Sequence, residues 1–62
     1  MSAWHSSMIQ AAKSRGMSLR EFADYRARIA EDRRRAGKTR LADSLDETVR
    51  ILRRMASQEE GM

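Results

Sequence analysis

Cysteine and proline are missing from this sequence altogether. Without cysteine there can be no disulfide framework. A single histidine with no carboxylate-rich loop leaves no structural metal site either. The lack of proline removes the strongest helix breaker and permits long uninterrupted helices. Alternating apolar and polar runs are absent and β-branched residues are scarce, so no strand is expected. No stretch approaches the roughly 20 apolar residues of a membrane span. The N-terminus shows no basic region followed by an apolar run, so no signal peptide is expected, and the cytoplasm is the expected compartment.

Chemistry is equally thinly represented. No phosphate-cradling glycine loop, metal-ligand spacing or catalytic motif occurs, so neither an enzyme nor a cofactor is expected. His5-Ser6-Ser7 hints at nucleophile chemistry. These neighbours point in different directions on a short helix, however, and lack the third group that would orient a base. Leu41-Ala42-Asp43-Ser44-Leu45 resembles the opening of a helix-turn-helix, but no tight turn and recognition helix follow.

What is present is helix punctuation. Met17-Ser18-Leu19-Arg20-Glu21-Phe22 is a complete helix start. Ser18 and Glu21 form a capping box, and Met17 and Phe22 occupy the positions of a hydrophobic staple. Gly16 suits the left-handed residue that ends a preceding helix, and Gly37 splits the rest of the chain into two helical stretches. The spacing predicts a short amphipathic segment within residues 1–16, with Trp4, Met8, Ala11 and Ala12 on one face and Ser2 as its cap. It then predicts a hairpin over 17–57 with helices at about 19–36 and 40–57, and a frayed tail at 58–62. In the second helix Leu19, Phe22, Ala23, Ile29 and Ala30 share a face, with Tyr25 on its edge. In the third, Leu41, Leu45, Val49, Leu52, Met55 and Ala56 form a stripe at coiled-coil spacing, with Thr39 as N-cap. A connection this short makes the two helices antiparallel neighbours. The fold class is therefore all-α: an antiparallel helical hairpin with a short N-terminal helix.

Size adds an expectation about assembly. At 62 residues the chain lies where a single core is marginal. Self-association is the natural remedy, and a homodimer resembling a four-helix bundle is expected.

Charge and the exposed anchors suggest how such a hairpin could act. The chain carries 13 basic and 9 acidic side chains, a net charge of +4. Arg33, Arg34, Arg35, Lys38 and Arg40 cluster at the turn and are the candidate nucleic-acid contacts, by phosphate neutralisation. Glu31 and Asp32 beside them weaken the field, and no aromatic is interleaved for base stacking. Arg26 and Arg33 lie on an otherwise apolar stripe, where a cation must snorkel or be paired. Asp46 with Arg50, and Glu47 with Arg50 or Arg54, are the expected pairs along the outer face of the third helix. Trp4, Met8, Tyr25, Arg26 and Ile51 are the candidate protein-binding residues. The expected function is a small non-enzymatic adaptor or inhibitor that binds another protein through its helices. The alternative is a basic hairpin dimer on RNA or DNA backbone.

Overall fold

A computed structural model describes residues 3–61. It contains three helices, α1 (Ala3–Ser14), α2 (Leu19–Arg35) and α3 (Thr39–Glu60). Ser2, the expected cap of α1, and Met62 lie outside the described residues. No strand occurs among those described.

Two glycines set the chain path. Gly16 has φ +67° and Gly37 φ +81°, both in the left-handed region where a side chain is strained. Each closes a helix in the same way. The Gly16 N–H donates to the Lys13 carbonyl and the Met17 N–H to that of Ala12. The Gly37 N–H donates to Arg34 and the Lys38 N–H to Arg33. This is the Schellman closure, which satisfies carbonyls that the helix end would otherwise orphan.

The start of α2 forms as its residues dictate. The Glu21 N–H donates to Ser18 Oγ at 3.1 Å, and the Ser18 N–H donates to Glu21 Oε1 at 3.0 Å. Met17 packs against the cluster that contains Phe22, the geometry of a staple. The start of α3 differs from expectation. Its N-cap is Lys38, which makes no side-chain cap, and Thr39 is already helical. The Lys38 N–H is spent on the Arg33 carbonyl, so the turn places the helix start one residue early. At its other end α3 stays helical through Glu60, including residues expected to fray. Arg20 of α2 grips the Glu60 carboxylate through both Nε and Nη2.

α2 and α3 pack as neighbours, and α1 rests lightly on α2. Phe22 and Leu52 are the largest fully buried side chains, and most of the remaining core is alanine. Ala23 and Ala30 in α2, and Ala42, Val49 and Ala56 in α3, are buried at seven-residue intervals. That repeat is a seam of small residues that lets two antiparallel helices approach closely. The seam corrects the expected stripe: Ala42 is buried, while Leu41 is 46% exposed and Leu45 and Met55 are half-buried. Ala12, with Met8 and Ala11, brings α1 onto Phe22, Val49 and Leu52.

Candidate functional site: the two unlike edges of the hairpin

Helical spacing gives the α2–α3 pair two edges, and their chemistry differs. On one edge, side chains of α2 reach across to α3 in a row of ion pairs. Arg20 pairs with Glu60, Arg53 sits 3.4 Å from Asp24, and Arg34 bridges Asp46 and Asp43. The hydrogen bond from Arg20 holds the Glu60 carboxyl below its ordinary range, against a smaller opposing effect of burial. The hydrogen bond to Asp46 likewise raises Arg34 above the usual guanidinium value. All these groups are well exposed, so the row fixes register more than it adds stability.

The pairs correct a local expectation. Asp46 bonds Arg34 of the neighbouring helix and makes no ion pair with Arg50. Arg50 instead lies 3.7 Å from Glu47, as the other expected pairing had it. The row also divides the arginine cluster at the turn. Arg34 belongs to the ion-paired edge, and Arg35 lies 3.8 Å from Glu31. Arg33, Lys38 and Arg40 are exposed and make no ion pair among the described residues. The open depression of about 440 Å³ at the turn is lined by Gly37, Lys38, Thr39, Arg40 and Leu41.

The other edge is apolar. Phe22, Tyr25, Ile29 and Arg33 follow one another along α2 at three- and four-residue steps. Leu41, Leu45 and Thr48 do the same on α3, Met55 follows seven residues further on, and Ile51 stands on the next row. α1 covers the half remote from the turn. The Tyr25 ring stacks on Phe22 at 6.2 Å between centroids, and Arg15 at the end of α1 lies over Tyr25 at 5.0 Å. Arg15 also donates to the Tyr25 hydroxyl at 3.4 Å. Towards the turn, Ile29 and Leu45 are only half-buried and Leu41 is exposed, and none of the three packs against the core cluster.

Arg26 stands where the covered half meets the open half. Its guanidinium lies over the Phe22 ring at 5.1 Å, and its Nε is buried without a hydrogen-bond partner. A guanidinium on an aromatic face recovers some of the cost of lying on an apolar stripe, but the unmade hydrogen bond remains a cost.

The five candidate protein-binding residues therefore separate. Met8, Tyr25 and Arg26 gather around Phe22, where the first two contribute to packing. Trp4 is 39% exposed near the start of α1, with its ring edge-on to His5 at 5.3 Å. Ile51 is half-buried on the outer row of α3. The reading by residue size passed over Leu41 and Ile29 as contact residues, because it placed both in the core. No group of histidine and carboxylate residues able to hold a metal occurs among the described residues, and no described helix is long and apolar enough to cross a membrane. No protein-family model matches the chain, and neither a curated protein nor a solved structure shows significant similarity to it.

Proposed function

We propose that this chain is a small non-enzymatic adaptor or inhibitor, working in the cytoplasm, that binds another protein by helix-on-helix contact. The observation that carries this reading is the turn-proximal half of the apolar edge. There Leu41 is 46% exposed beside half-buried Ile29 and Leu45, on helices held in register by the ion pairs opposite. α1 already occupies the other half of that edge, which illustrates the kind of element it accepts. Trp4 and Ile51 extend the contact surface to α1 and to the outer row of α3.

The test is photo-crosslinking in the native cell. A benzophenone side chain in place of Leu41 should capture a discrete protein that resists nuclease, and the same group in place of Ser57, on the ion-paired edge, should not. Adding Trp4→Ala or Ile51→Asp should weaken that capture. Equal capture from both positions, or none from Leu41, rules the reading out.

The small core calls for some partner on this edge, and a second copy is the alternative occupant. Two copies laid face to face would form the four-helix bundle expected from chain length. The nucleic-acid reading keeps only Arg33, Lys38 and Arg40 as uncommitted cations at the turn, since Arg34 and Arg35 are engaged with carboxylates.

A further inference from the structure

Resting on that reading, we infer that the natural occupant of the open half-edge is an amphipathic helix of another protein with acidic side chains flanking its apolar stripe. The chain engages most of its own carboxylates away from that half-edge. Asp24, Asp43, Asp46 and Glu60 are committed to the ion-paired edge. Glu21 closes the cap of α2, and Glu31 and Glu47 pair within their own helices. Only Asp32 and Glu59 make neither an ion pair nor a side-chain hydrogen bond among the described residues.

The open half-edge has the opposite balance. Ile29, Leu41 and Leu45 offer an apolar strip. Along α2 it is bordered by Arg26, whose buried Nε has no hydrogen-bond partner, and by exposed Arg33. Arg40 borders it on the outer row of α3, where Glu47 also lies but is taken up by Arg50, and Asp32 is the nearby acid that makes no ion pair among the described residues. An apolar strip between unpaired arginines is complementary to leucines or isoleucines flanked by glutamate or aspartate. Arginine suits that task because its planar fork takes a carboxylate through two parallel hydrogen bonds. A second copy of this chain fits poorly. It would bring the same arginines to the interface and has only Asp32 and Glu59 with which to answer them. Nucleic acid would satisfy the cations but leave the apolar strip unused.

The experiment uses the full chain and two labelled synthetic peptides of about 15 residues, long enough to hold a helix on a surface. One carries leucines on one face flanked by glutamates, and its twin has lysine at every glutamate. Fluorescence anisotropy at about 0.1 M salt should show the acidic peptide binding at least about tenfold more tightly. Leu41→Asp should abolish binding. Arg26→Gln with Arg33→Gln should erase the preference between the twins, with the circular dichroism of the protein unchanged. Should that pair disturb folding, Arg33→Gln with Arg40→Gln, on exposed side chains, should reduce the preference.

Equal binding of the twins, or none, overturns the proposal. So does displacement of the acidic peptide by duplex DNA that binds the Leu41→Asp protein equally well, since the cations then serve phosphate. A light-scattering mass of two chains that the peptide does not lower also overturns it, with a second copy as the occupant. If the peptides fail while crosslinking from position 41 still captures a protein, only the acidic character of the partner is refuted. If both fail, the adaptor reading falls as well.

Discussion

Gly37 shows how much of this fold rests on single backbone positions. Its φ of +81° turns α2 into α3, and its N–H and that of Lys38 cap the last carbonyls of α2. A Cβ built at this position meets nothing within 4 Å, so the cost of a side chain is conformational and not steric. Gly37→Ala should therefore destabilise the chain by about 1 kcal/mol while leaving the helix content intact. Urea titration followed by circular dichroism measures it, and an unchanged midpoint would show that the turn does not need the left-handed residue. Ser18 and Glu21 were legible for a related reason. A capping box depends on residues three apart, so no knowledge of the partner helix is needed to read it. Arg26 was legible only as an inconsistency. Its spacing put a cation on an apolar face, but the Phe22 ring beneath it and the unbonded Nε come from packing.

Between α2 and α3, the choice of contacting residues follows from close approach. A reading by side-chain size selects Leu41 as the first core position of α3, because leucine is the larger apolar residue. The helices instead meet on the repeat that contains Ala42, Val49 and Ala56, and Leu41 turns to the rim. Both patterns recur at helical spacing within one sequence, so periodicity alone could not choose between neighbouring rows. The pairing of Asp46 was obscured in the same way. Its local partner Arg50 was visible along one helix, while Arg34 comes within reach only once the register of the hairpin is set. A swap of expected severities follows. Ala42→Leu should cost about 1–3 kcal/mol by forcing the helices apart, whereas Leu41→Ala should cost clearly less, since leucine there is already 46% exposed. Thermal unfolding of the two variants side by side decides it. If Leu41→Ala proves the more damaging, the alanine seam is not where the helices meet.

Across the whole molecule the net charge of +4 is less informative than its distribution. Total charge pointed towards nucleic acid. The fold draws most carboxylates to one edge or into local pairs, which leaves an apolar strip bordered by arginine on the other. That asymmetry bears directly on assembly. The expectation of a dimer came from chain length and a thin core, and the core is indeed thin, with Phe22 and Leu52 its largest fully buried side chains. Thinness alone calls for some partner and does not specify a copy. If the open half-edge is reserved for carboxylates that this chain has already spent, a concentrated solution gains little from self-pairing. The urea midpoint should then stay constant over about a hundredfold range of protein concentration, whereas a dimer would gain about 2.7 kcal/mol across that range. Light scattering at both extremes should give the 7.2 kDa of a single chain. A midpoint that climbs with concentration, together with a doubled mass, would mean that burying Leu41, Leu45 and Ile29 against a copy outweighs the repulsion between their arginine borders.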